Sequence, residues 1–160
     1  MATIDDLEPS ARRFIERYPF PRLSAPVLTP LRKKLSEAKI ALITTAGLHL
    51  KSDPPFNDSF WSSDCSYRLI PANTRACDLA ISHTSREFER SGALKDLNVV
   101  FPEDRLNELI AMGKLASLST NHFSFMGSLP RTGELRKRRA PEVAKLLRKD
   151  DVDLVLLIPV

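Results

Sequence analysis

Cysteine is scarce. Cys65 and Cys77 are the only two in 160 residues, and they lack the C-x-x-C spacing of a redox or zinc motif. Two unpaired thiols in a chain without a signal peptide point to a reducing compartment. The first residues, Met-Ala-Thr-Ile-Asp-Asp-Leu-Glu, are acidic and have no apolar signal core. No apolar run is long enough to cross a bilayer. A cytoplasmic location with no membrane partner is therefore expected. Motifs are missing too. There is no G-x-G-x-x-G, no G-x-x-x-x-G-K-[ST] and no G-x-S-x-G, so nucleotide binding and serine-hydrolase chemistry have no support. Neither an internal repeat nor a low-complexity segment is present.

Apolar residues make up 42% and charged residues 28%, as in an ordinary globular protein. The length suits one domain with its own core. The net charge is a mild +4, concentrated in the run Arg136, Lys137, Arg138 and Arg139. No aromatic residue interleaves it, so a stacking platform for single-stranded nucleic acid is not expected. A solvated helix face is the simpler reading. A contact face for an acidic partner is the alternative.

Asp5 to Pro19 has a helical pattern, with Phe14, Ile15 and Tyr18 on one face. Pro19, Pro21 and Pro26 make an extended connector, so residues 1–28 read as an arm and 29–160 as the main domain. Thr29-Pro30 predicts a helix start, with Leu31, Leu35 and Ala38 as its stripe. Ile40 to Thr45 is β-branched and apolar, the pattern of a buried parallel strand. Ala46 to Asp78 has no helical period, apart from a short strand at Tyr67 to Ile70. A loop this long is usually functional, and Phe56, Phe60 and Trp61 in it need cover. Leu79 to Ser82 and Asn98 to Phe101 are strand candidates, with a short polar helix between them that Gly92 ends. Pro102 opens a helix that Gly113 stops. Leu115 to Ser119 is a fourth strand, followed by a loop to Pro130. Thr132 to Lys149 is helical, kinked or split at Pro141. Val152 to Ile158 is the most apolar segment and reads as a central strand. The alternation predicts an α/β fold, a three-layer, Rossmann-like domain with a mainly parallel sheet. A chain closing on such a strand also predicts a domain incomplete at its C-terminus.

The three histidines, His49, His83 and His122, each follow the predicted carboxyl end of a different strand. In open α/β sheets that edge holds the ligand, and imidazole can move a proton near neutral pH. All three are therefore expected on one cleft as candidate catalytic groups, although each alone would equally serve as a loop or capping residue. No pair has metal-ligand spacing, and no cysteine or carboxylate completes a set, so no metal is expected. Lys51 and Arg68 are candidate cations for a substrate carboxylate, arginine in a bidentate grip. Thr44, Thr45 and Asp53 border the same loop.

The stretch Thr44-Thr45-Ala46-Gly47-Leu48-His49-Leu50-Lys51-Ser52-Asp53-Pro54-Pro55-Phe56 resembles a signature of the glycine/sarcosine/betaine reductase component B and D-proline reductase selenoprotein family. Ser66-Tyr67-Arg68-Leu69-Ile70-Pro71, Ser82-His83, and the run from Asp96 through Leu106 are similar as well. His122-Phe123-Ser124-Phe125-Met126-Gly127 and Val152 to Val160 complete the match. The resemblance implies a reductase that cleaves a carbon–nitrogen bond next to a carboxylate. It implies a cysteine or selenocysteine stretch beyond Val160, no cofactor within this chain, a pyruvoyl group on a partner reductase subunit, and a thioredoxin-like or dithiol reductant. The substrate would be a small amino-acid-type molecule. Without the nucleophile this chain alone is expected to be inactive. A non-catalytic binding or assembly subunit is the alternative, and the oligomeric state, homo-oligomer included, stays open.

Overall fold

The computed structural model describes residues 3–18, 25, 29–57, 59, 63–85 and 88–160. Pro19, Pro21, Pro26, Phe60 and Trp61 lie outside the described residues. The chain divides into two compact units, Met1–Pro30 and Leu31–Val160.

In the first unit a 3-10 turn at Ile4–Asp6 precedes helix α1, Pro9–Arg17. Proline suits the first turn because its missing N–H has no intrahelical partner there. Arg12 pairs with Asp5 and with Glu16 one turn on.

The second unit is α/β, with a mixed sheet whose strands are mostly parallel. Strand β1, Lys39–Thr44, is its axis. β7, Leu154–Ile158, runs parallel along one side of β1. β5, Ser117–Leu118, and β6, Asn121–Phe125, both pair parallel with β1. β3, Tyr67–Pro71, adds antiparallel to β6. Because side chains alternate across a strand, Ile40 and Leu42 enter one core with Ile70, Ala93, Val100 and Leu106. Ile43 enters a second, with Phe123, Phe125 and Val143. Ala93 comes from helix α2, Ser91–Lys95, and Leu106 from α3, Glu103–Ala111. Val143 comes from α4, Ala140–Lys149. A separate two-stranded antiparallel ribbon joins β2, Leu48–Leu50, to β4, Leu79–Ile81.

β5 and β6 form one line with a bulge. β1 advances three residues, from 40 to 43, while its partner advances five, from 118 to 123. The two extra residues, Ser119 and Thr120, are held by Asp150. Its carboxylate accepts the Ser119 hydroxyl at 2.7 Å, the Thr120 amide at 2.7 Å and the Thr120 hydroxyl at 2.9 Å. The Lys39 ammonium donates to the same carboxylate at 3.3 Å. The Ser119 hydroxyl first, then Thr120 and Lys39, hold the Asp150 carboxyl far below the usual carboxylate range against the opposing effect of burial.

Gly47 joins the ribbon to the sheet. Its N–H donates to the Phe125 carbonyl and its carbonyl accepts from Ser82, each at 2.9 Å. Its φ is +67°, and a Cβ there would lie 2.0 Å from the Ser82 carbonyl oxygen. Only glycine fits both the left-handed backbone and the close approach.

Several expectations are corrected. The helix from Thr29 shrinks to one 3-10 turn, Leu35–Glu37. Leu31 and Leu35 are exposed, so no buried stripe stabilises it, and short helices are marginal without packing. Asn98 to Phe101 is not a strand. Asp96 accepts the Asn98 amide and caps a 3-10 turn, Leu97–Val99. Gly92 does not stop a helix but lies inside α2. The loop after Ser119 is instead strand β6. β7 is not central: among the described residues it pairs with β1 alone, and Leu156 and Leu157 are exposed. The helix before Lys149 keeps helical backbone through Pro141, with a π-helical stretch, Leu135–Arg139, just ahead of it. A wider turn there accommodates a residue that lacks an N–H. Within the basic run, Arg138 and Arg139 form ion pairs with Glu134 and Glu142 on their own helix.

Asp150→Asn should cost about 2 kcal/mol in denaturant unfolding, since it removes charge-assisted hydrogen bonds. A depressed native pKa stabilises fully above the unfolded value of about 4, and the benefit disappears as pH falls through the lower native value. The variant should therefore lose less stability than the parent on acidification below pH ~4. Gly47→Ala should cost about 3 kcal/mol or more. A parental melting temperature for Gly47→Ala would contradict the close approach to Ser82.

Candidate functional site

The carboxyl ends of three strands meet beside Gly47. The Thr45 amide donates to the Ile158 carbonyl, and Ala46 bridges Met126 just past β6. The chain then turns into β2 and pairs with β4, which sets His49 opposite Ala80. Ser82 follows β4 and is pinned to Gly47.

His49 is 5% exposed. Its Nδ1 lies 2.8 Å from the Leu50 carbonyl and its Nε2 lies 2.9 Å from the Ser82 hydroxyl. A carbonyl only accepts, so Nδ1 carries the proton of the neutral ring. Nε2 then accepts from Ser82, and the serine hydroxyl is the outer end of a His49–Ser82 pair.

His83 is equally buried. Its Nδ1 accepts the Ser85 amide at 3.1 Å, which leaves Nε2 as the protonated nitrogen of the neutral ring. The Phe88 ring lies edge-on at 4.9 Å, and the Arg90 guanidinium donates to the His83 carbonyl. Burial, and then the charge of Arg90, lower the His83 pKa, so the ring is neutral at pH 7. Its Nε2 has no hydrogen-bond partner among the described residues. A Cβ at Gly127 would lie 2.6 Å from Nε2 and 3.0 Å from the carbonyl oxygens of Thr45 and Val160. The absence of a side chain at Gly127 thus leaves room for His83 at the junction of β1 and β7.

His122 does not join them. It lies within β6, fully buried, and its Nδ1 accepts the Leu42 amide at 3.1 Å. Its Nε2 faces Glu103 Oε1 at 3.4 Å, and Phe101 covers one edge. Ser82 is thus hydrogen-bonded to His49 and is the chain neighbour of His83, whereas His122 lies in the sheet core apart from them. The reason is that the residues after Ser119 resume the sheet rather than leave it.

Among the candidate binding residues, Arg68 is committed to its own loop. It donates to the carbonyls of Pro54, Pro55 and Tyr67 and to the Ser66 hydroxyl, and its guanidinium lies 4.3 Å over the Phe56 ring. Lys51 is exposed, and its amide donates to the Asp78 carbonyl. Asp53 closes a turn on Leu50. Thr44 is buried and accepts the Ala46 amide, while the Thr45 hydroxyl accepts the Val160 amide at 2.8 Å. Sequence reasoning missed Ser82 as a partner of His49, and it missed Arg90 and Gly127. Arg90 carries no local signal, because what marks it out is the contact of its guanidinium with the His83 carbonyl rather than a motif. A groove of about 380 Å³ is lined by Phe56, Ile81, Ser82, His83, Thr84 and Arg90. Among the described residues no cluster of side chains has the makings of a metal centre, and no helix is long and apolar enough to cross a membrane.

An NMR titration should give His83 an apparent pKa below the ordinary ~6.5, with the proton on Nε2 at neutral pH. Arg90→Gln should raise it. Because the native pKa is depressed, this group supports folding above about pH 6.5 and ceases to do so as pH falls through the native value. A pKa at or above the ordinary value would remove the neutral-ring assignment.

The segments that build this site also relate the chain to known proteins. The family model described as glycine/sarcosine/betaine reductase selenoprotein B matches residues 8–159. The D-proline reductase subunit gamma of Acetoanaerobium sticklandii is 34% identical over 132 residues, covering 82% of this chain and 52% of that protein. The glycine reductase complex component B subunit gamma of Symbiobacterium thermophilum is 29% identical over 146 residues, covering 90% of this chain and 33% of that protein. The chain thus spans about half the length of the first relative and a third of the second. No solved structure matches it. With the family model covering the sheet, the ribbon, His49 and His83, the chain belongs to the glycine/sarcosine/betaine reductase selenoprotein B family.

Proposed function

We propose that this chain is a subunit, or part of one, of a reductase complex that cleaves a carbon–nitrogen bond of a small amino-acid-type substrate in the cytoplasm. The observation that carries the reading is the buried, unpartnered Nε2 of His83 beside the His49–Ser82 pair, at the edge where the layered, Rossmann-like architecture would bind its ligand. A neutral imidazole with a free N–H can hydrogen-bond a leaving nitrogen or a developing anion. The Ser82 hydroxyl, which donates its proton to His49, keeps its lone pairs to accept a hydrogen bond from a substrate N–H.

A cysteine or selenocysteine beyond Val160, or on a partner subunit, would supply the nucleophile. Its thiolate or selenolate displaces the amine from the α-carbon, and the amine takes up a proton as it leaves. A dithiol or thioredoxin-like reductant then contributes two electrons, which release the reduced acid and restore the nucleophile. A pyruvoyl group on a partner subunit would activate the amine. In this scheme the present chain orients the substrate and handles the proton. His49 and His83 fill the roles at the edge, Thr44 and Thr45 shape the strand end, and Lys51 and Asp53 form the turn that follows β2. His122 and Arg68 support the site from the core and the loop.

The test is substrate reduction by the assembled complex with its partner subunits and a dithiol, using D-proline, glycine, sarcosine and betaine. His83→Gln and Ser82→Ala should each lower turnover about a hundredfold, the usual size of a proton-transfer contribution, while His122→Gln should act mainly on stability. Parental turnover in both of the first two variants, on an accepted substrate, would refute these roles.

A further inference from the structure

Resting on that reading, we infer that the groove between Phe56, Ser82, His83, Thr84 and Arg90 is the seat of the substrate's carboxylate, and that Arg90 is the cation that selects for it. Among the described residues, two other cations of this part of the chain, Arg68 and Lys51, are otherwise placed. Arg68 donates to three loop carbonyls and a serine hydroxyl. The Lys51 amide is tied to Asp78, whose carboxylate feels the lysine charge. Arg90 is different. The His83 carbonyl fixes one end of its guanidinium. Among the described residues it forms no ion pair, whereas Arg12, Arg75, Arg105, Arg138 and Arg139 all do.

A guanidinium has five N–H donors in a planar fork that matches a carboxylate. Donation to one carbonyl leaves an edge for a second, anionic acceptor. The groove supplies what such an acceptor needs around it. Phe56, Ser82 and Thr84 line it, the Ser82 hydroxyl held by His49 and the Thr84 hydroxyl 3.9 Å from the Met126 sulfur. Its volume of about 380 Å³ admits a small amino acid. His83 contributes both the carbonyl that orients Arg90 and the ring whose Nε2 lies near the strand ends. A substrate anchored through its carboxylate would thereby present its α-carbon and nitrogen towards the two histidines. The neutral ring of His83 suits this arrangement, since a second cation beside Arg90 would be repelled.

The experiment uses the isotopically labelled 160-residue chain and follows backbone amides by NMR during titration with D-proline, glycine and acetate. D-Prolinamide, which lacks the carboxylate, is the comparison ligand. Carboxylates should shift the amides of Ser82, Thr84 and Arg90 in a saturable way, and prolinamide should not. Arg90→Gln should weaken carboxylate binding at least tenfold, consistent with the loss of a charge-assisted pair. Arg90→Lys should restore part of it, and Lys51→Gln should leave it unchanged. Each variant's amide spectrum checks that it is folded. Equal binding by prolinamide, unchanged affinity in Arg90→Gln, or no carboxylate-dependent shift at Ser82 and Thr84 would overturn the assignment. Carboxylate binding without reductive cleavage by the assembled complex would refute the reaction and leave the anion seat standing. Parental turnover and KM for Arg90→Gln in that complex would refute the seat and leave the reaction standing.

Discussion

The contact between Gly47 and Ser82 sets the geometry of everything around it. The glycine has no side chain, so the backbone after β4 can lie against the backbone after β1. Two hydrogen bonds then lock the crossing, one to the sheet at Phe125 and one to the ribbon at Ser82. A ribbon of three-residue strands could not hold a register by itself, since isolated two-stranded pairs are marginal in water. Anchored here, it places Ser82 within reach of His49 and sends the next residue, His83, towards the strand ends. One missing Cβ therefore decides where two imidazoles and a hydroxyl sit.

Three histidines in one small domain have three different fates. His49 is satisfied at both nitrogens and acts through the serine that it holds. His83 is satisfied at one nitrogen and open at the other. His122 lies inside the core, its Nδ1 on the Leu42 amide and its Nε2 3.4 Å from Glu103 without a hydrogen-bond partner among the described residues. An unpaired buried polar atom costs roughly 1–3 kcal/mol, and the fold bears that cost at His83 beside the strand ends. Functional sites are where such local inconsistency is expected.

Much of the scaffold was legible in the chain. Ile40 to Thr45 stands out because a strand buried on both faces needs consecutive apolar, β-branched residues. The α3 helix stands out through its apolar spacing and Gly113. β6 was hidden because its second face carries His122 and Ser124 instead of aliphatic groups, so Asn-His-Phe-Ser-Phe reads as a polar loop. β2 and β4 were too short for any period to show. His49 and His83 drew attention by their position after apolar runs, whereas the same rule set His122 past a strand end when it lies within β6. The flaw was to treat Ser119 as a strand end when the line only bulges there. Arg90 could not be found at all, because what distinguishes it is the carbonyl it meets and its forming no ion pair among the described residues.

The central strand also constrains how the chain is made. β1 has no neighbour in the sheet that is close in sequence. The Leu42 amide meets His122 across 80 residues, and the Lys39 amide meets Asp153 across 114. Long-range pairings of this kind must bear the entropy of loop closure before any contact repays it, which slows folding. As the polypeptide leaves the ribosome, Ile40 to Thr44 emerges before any of its partner strands and waits until the segment from Ser117 to Ile158 has been synthesised. That interval is when an unpaired strand is most exposed to aggregation. A helper that shields one short β-branched segment during synthesis would meet the main hazard in the biogenesis of this protein.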